Sequence, residues 1–305
     1  EGFTLTQGGN WATHPTYCTD LLVKNVSIRG NRDGIDVDSC KGVKIDTCTI
    51  DTGDDSISIK SGRGMDGARI GKPTEDVLIT GCTLTGRNFA CVGIGSETSG
   101  GVKNVKIEHC KLSASSQGVY VKTRIGRAGT IENITGDDID ILKGGFLRIN
   151  LISSGNTNTN DDPVEGLLGY PLGRKFSFTN VRLNNATVVA DVTGIAAEKP
   201  LEGLSLSNIT GTATGGIKMA NVKGAELKDI KVTGVNGDLV AIDNVTGTGL
   251  DGAGKLPAAR GGAAGGARGP GRGAGGAGGG AIGGRGARGA APGGAAPGGA
   301  TPPTP

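Results

Sequence analysis

The chain has 305 residues, 59 of them glycine, few aromatics and a formal net charge of +3. It holds no apolar run long enough for a membrane span, and its six cysteines form neither a small disulfide scaffold nor a zinc-type CxxC pair. Six basic residues stand against Asp251 alone in 251–305. The remainder is therefore mildly acidic, which argues against nucleic acid as its main partner.

The chain opens on Glu1 in mid-pattern, with neither the basic nor the apolar region of a signal peptide. It reads as a fragment or a processed form. Residues 1–22 carry Trp11, His14 and Cys18 in NWATHPTYC, and apolar alternation follows. One phrase then returns: Val43, Ile45, Cys48, Ile50; Val77, Ile79, Cys82, Leu84; Val105, Ile107, Cys110, Leu112. Val181, Leu183, Ala186 and Val188 repeat the spacing, with alanine where the others have cysteine.

Self-similarity at about twenty to forty residues marks stacked units. Period-two alternation of β-branched residues makes those units strands, and Gly, Asn, Asp and Thr between them supply turns. No segment offers an amphipathic helix of three turns or more. The pattern predicts an all-β chain, a right-handed parallel β-helix over 1–250, held by inward stacks of like residues. Cys48, Cys82 and Cys110 then serve as small buried hydrophobes; a Cys18–Cys40 bridge stays open. The Asn-X-Ser/Thr triplets at Asn25, Asn133, Asn185, Asn208 and Asn244 read as turn residues rather than glycosylation sites. The Gly/Ala/Pro/Arg composition of 251–305 predicts a disordered tail, because such a segment buries too little apolar surface to offset its entropy.

The chemistry concentrates in Asn31-Arg32-Asp33-Gly34-Ile35-Asp36 and Gly53-Asp54-Asp55. Asp33 and Asp54 stand about one coil apart, so successive parallel strands about 4.8 Å apart bring their carboxylates together. Clustered carboxylates repel, and a metal or an acid/base pair compensates. Turn formation is the plainer explanation for Gly-Asp-Asp, and Gly136-Asp137-Asp138 repeats the tripeptide without the coupled Asn-X-Asp-Gly element. His14 and His109 suggest no metal cluster.

In order and spacing, these elements resemble the polygalacturonase-type pectin hydrolases of glycoside hydrolase family 28. The resemblance runs from NWATHPTYC to KTRIGRAGTIENI, with looser similarity to about Leu250. Asn31-Arg32-Asp33-Gly34 is similar to the family's Asn-Thr-Asp-Gly, Gly53-Asp54-Asp55 to its Gly-Asp-Asp, and Gly95-Ser96-Glu97-Thr98 opens a phrase common in bacterial members. The family's histidine falls near Phe89 and the arginine of its Arg-Ile-Lys on Tyr120, while its lysine stays as Lys122.

The resemblance implies coils preceding this chain and hydrolysis of a pectic polysaccharide with inversion, using two carboxyl groups about 6.5–9.5 Å apart. It implies Asp54 as general acid, raised in pKa by Asp33 and Asp55, which are the base candidates. Lys122 meets substrate, with Lys60, Asn31 and Glu97 as supporting residues. Phe89 and Tyr120 offer flat faces to a sugar, and Arg124 and Arg127 restore positive charge. These replacements point to polygalacturonan or a drift towards rhamnogalacturonan. No cofactor or metal is implied, and the expected protein is a monomer acting outside the cell or in the periplasm. A non-catalytic carbohydrate-binding β-helix and a calcium-dependent pectate lyase are the alternatives.

Overall fold

The computed structural model describes residues 1–6, 9–155 and 161–257. Strands Thr19–Lys24, Ser27–Arg29 and Asp33–Asp38 make one coil. Lys41–Asp46, Thr49–Thr52 and Ile57–Lys60 lie on them, parallel and in register, one coil later. From Val102 the strands run round the corners, so that Val102–Lys122 pairs in turn with Thr74–Thr80, Thr83–Gly86 and Val92–Gly95. Parallel neighbours need a long crossover, and here the rest of the coil provides it. The chain is a parallel β-helix.

The core is a set of columns. Val43, Val77, Val105, Ile134, Phe176 and Leu204 stack in one of them, all buried. Cys48, Cys82 and Cys110 stand in another, with Ile139, Val181 and Ile209 continuing it. Val181 thus takes the cysteine slot, not the opening valine slot its phrase suggests, because Phe176 and Phe178 hold the two earlier positions. All six thiols are free, which settles against a Cys18–Cys40 bridge.

The corners need left-handed backbone, which Asn and Asp tolerate better than most residues. All five asparagines of the Asn-X-Ser/Thr triplets have positive φ, between 50° and 56°. Asp138 takes the same conformation at 54°, so the second Gly-Asp-Asp forms a corner of the coil. The one α-helix among the described residues, Gly64–Ile70, is an insertion that lengthens its coil. Among the described residues no helix is long and apolar enough to cross a membrane. Pairing continues past Leu250, where Gly254–Lys255 joins Ala241 and Ile242. From residue 258 the expected tail lies outside the described residues.

Candidate active site

One face of the solenoid carries Trp11–Thr13, Asp33–Asp38, Ile57–Lys60, Val92–Gly95 and the end of Val102–Lys122 side by side. On these strands Ile35, Val37, Ile57 and Ile59 enter the core. The alternate positions Asp36, Ser58 and Lys60 turn to the outer face. The register pairs Ile35 with Ile57, a coil of 22 residues rather than 21. Asp55 therefore stands under Asp33, and the Gly34 N–H donates to the Asp55 carbonyl at 3.0 Å.

A cleft of about 540 Å³ opens over this face. Asp33, Asp54, Lys60, Phe89, Glu97 and Lys122 line it, as do Trp11, Arg32 and Arg63. Asp54 is half-buried, has no cationic partner among the described residues, and accepts from the Asp55 N–H at 3.0 Å. Asp55 is only 1% exposed and fully engaged. Its Oδ2 accepts from Lys122 Nζ at 2.6 Å and from Ser58 Oγ at 2.9 Å, and its Oδ1 from the Ala90 N–H at 3.3 Å. Gly93 leaves the space for this carboxylate, since a Cβ there would run into Asp55 Oδ2.

Asp33 is raised from the usual 3.8 to about 6, by burial and then by Asp55, with Lys60 opposing at 3.9 Å. Asp36 lies deeper: it is fully buried, and Lys60 Nζ stands 3.3 Å from its Oδ1. Burial pushes it to about 9 despite Lys60, and Asp33 adds to the rise. Burial alone would raise Glu97 as well, but Lys60 at 3.1 Å and Arg127 at 3.5 Å outweigh it and hold Glu97 at about 2. Burial disfavours the Lys60 ammonium, yet Glu97, Asp36 and Asp33 together raise its pKa.

Three expected substrate contacts are placed differently. Tyr120 is 5% exposed, bonds Ser154 Oγ at 2.7 Å through its hydroxyl, and stacks beneath Phe89 with ring centres 5.9 Å apart. Of these two rings, Phe89 lines the cleft. Asn31 points away from it, accepting from Arg87 Nη2 at 3.2 Å. Arg124 donates to Asp161 at 2.9 Å, and the fully buried Arg127 is held by Asp161 and Ser96, so both belong to the structure beside the cleft. Asp36, Trp11 and Arg63 were not singled out from the sequence. The outward phase of Asp36 beside Ile35 and Val37 was the available signal.

The family model for glycosyl hydrolases family 28 matches residues 9–148, the segment that holds the whole cleft floor. Over that segment the chain is similar to glycosyl hydrolases family 28. Among family 28 relatives, a probable polygalacturonase of Vitis vinifera is 30% identical over 217 residues, covering 69% of this chain and 43% of that protein. Endopolygalacturonase II of Aspergillus awamori is 32% identical over 126 residues, 40% of this chain and 32% of that one. The crystal structure of a hyperthermoactive exopolygalacturonase from Thermotoga maritima superposes with a TM-score of 0.57 at 26% identity, covering 72% of this chain and 49% of that chain. The chain spans less than half the length of each of these proteins.

Proposed function

We propose that the chain hydrolyses glycosidic bonds in a pectic polysaccharide by an inverting acid/base mechanism. The observation that carries this reading is the contrast between two carboxyl groups that line the same cleft. Asp54 is half-buried without a cation, whereas Asp33 is elevated in pKa but has Lys60 to favour its ionised form. A sugar chain in the cleft lies against Asp54, whose carboxyl group faces the substrate with no cation of the described residues beside it. Asp54 then protonates the leaving oxygen, and ionised Asp33 takes a proton from the water that attacks the opposite face of the ring. Asp55 is tied to Lys122, Ser58 and a backbone N–H. It serves as an electrostatic anchor for Lys122 rather than as the base. A polymeric pectic substrate places the activity outside the cell or in the periplasm.

Reducing-end release from polygalacturonate and rhamnogalacturonan, with a chelator present, tests the reading. Asp54→Asn is expected to keep the fold and lower kcat by roughly 10²–10⁴-fold, the usual contribution of a general acid. Unchanged turnover in that variant removes the assignment. Unsaturated, ultraviolet-absorbing products that vanish with chelator would point to a lyase instead. Binding of pectic oligosaccharide without turnover by the parent protein would mean a carbohydrate-binding module.

A further inference from the structure

The charges of the cleft divide into two populations. On the floor every cation is committed to a carboxylate of the protein. Lys122 is 10% exposed and lies 2.6 Å from Asp55, with the Phe89 ring 4.2 Å from its Nζ. Lys60 is 11% exposed and shared among Glu97, Asp36 and Asp33. On the rims the cations are exposed and loosely held. Arg32 pairs with no carboxylate among the described residues, and its one polar contact is Asn10 Oδ1 at 3.5 Å. Arg63 is 47% exposed and is the loosest of the cations around Glu97, at 3.8 Å against 3.1 Å for Lys60 and 3.5 Å for Arg127. These two guanidinium groups stand on opposite sides of the strands, Arg32 just before Asp33–Asp38 and Arg63 just after Ile57–Lys60.

We infer that Arg32 and Arg63 set specificity by gripping substrate carboxylates from the two rims, while the sugar unit seated over Phe89 is an uncharged one. The inference rests on the cleft being the polysaccharide site proposed above. An acid group over Phe89 would meet an apolar ring and, below it, a lysine already neutralised by Asp55. Its desolvation would go uncompensated. An exposed guanidinium, by contrast, binds a carboxylate through two parallel N–H bonds. The ligand class is therefore a uronate chain interrupted by uncharged units, either methyl-esterified uronates or neutral sugars alternating with uronates.

Calorimetric binding to the full chain carrying Asp54→Asn, which removes turnover, tests this with four oligosaccharides of equal length. These are fully de-esterified galacturonate, half-esterified galacturonate, fully esterified galacturonate and an alternating uronate–deoxyhexose. At least one of the two mixed ligands is expected to bind about tenfold more tightly than the de-esterified one, a difference of about 1.4 kcal/mol. Which mixed ligand leads identifies the source of the uncharged unit. Adding Arg32→Gln or Arg63→Gln is expected to weaken the mixed ligand roughly three- to tenfold, while leaving the fully esterified one nearly unchanged. Phe89→Ala is expected to weaken all four. De-esterified galacturonate binding as tightly as the mixed ligands, or arginine variants without effect, overturns the inference. If the expected order appears and the parent protein hydrolyses nothing, the hydrolase reading fails and the specificity assignment stands.

Discussion

At Asp36 a carboxyl group sits fully enclosed beside Lys60 and Asp33, and its response to pH has a definite sign. Its folded pKa of about 9 lies above the usual 3.8, so between these values the folded state holds a proton that the unfolded chain releases. Its contribution to stability is therefore present in acid and is lost as pH rises towards 9. Asp33 acts the same way over a narrower window, ending near pH 6. Asn is close in shape to a protonated Asp. Asp36→Asn is thus expected to melt no lower than the parent at pH 5, and higher by a margin that widens towards pH 8. Each kcal/mol gained shifts Tm by about 2–4 °C in a domain of this size. Thermal melts at pH 5, 6.5 and 8 check it; a margin that shrinks with pH would mean that Asp36 is charged and stabilised by Lys60. The three aspartates themselves were visible in the sequence through their glycine neighbours and their separation of about one coil. What stayed hidden was which aspartate stacks on Asp33, because a single residue of coil length decides it, and that Asp55 is occupied by Lys122, because residues 55 and 122 meet only through two further coils.

The strands were legible wherever apolar alternation recurred with the same internal spacing, as at Val43, Val77 and Val105. At Val181 the spacing recurred in the wrong slot, since a pattern of four positions does not say where on the coil it begins. Phe176 and Phe178, large residues facing the core, were the better markers. The cysteine column makes a chemical prediction. Cys40, Cys48, Cys82, Cys91 and Cys110 are buried and Cys18 is partly exposed, all as free thiols. Cys48 Sγ lies 3.4 Å from the Asp46 carbonyl and Cys82 Sγ 3.3 Å from the Thr80 carbonyl, contacts expected of inward thiols rather than reactive thiolates. A small aromatic disulfide reagent is expected to modify no more than Cys18 in the native protein and all six thiols after unfolding, and reductant should leave Tm unchanged. Fewer than six thiols in the unfolded, unreduced chain would reveal a disulfide and overturn the column's purely packing role.

Because each coil touches only the coils before and after it, stability along the solenoid is local and coupled to neighbours. The candidate site lies on the coils from Trp11 to Lys122, and the strands Leu201–Ala213 and Ile217–Thr233 lie beyond it. Leu206 is fully buried there, stacked between Phe178 and Leu227. Leu206→Ala leaves a cavity in that column, and truncation of a buried leucine costs about 2–5 kcal/mol. In a globular core such a loss would be shared by the whole domain. In this architecture hydrogen exchange is expected to quicken most in 201–233 and least in Asp33–Asp38 and Ile57–Lys60, with KM and kcat unchanged at temperatures well below melting. Equal loss of protection along the whole chain would show that the solenoid unfolds as one cooperative unit. In that case the site depends on the distant coils for its geometry, and substitutions on either side of it would have to be read as acting on catalysis and stability together.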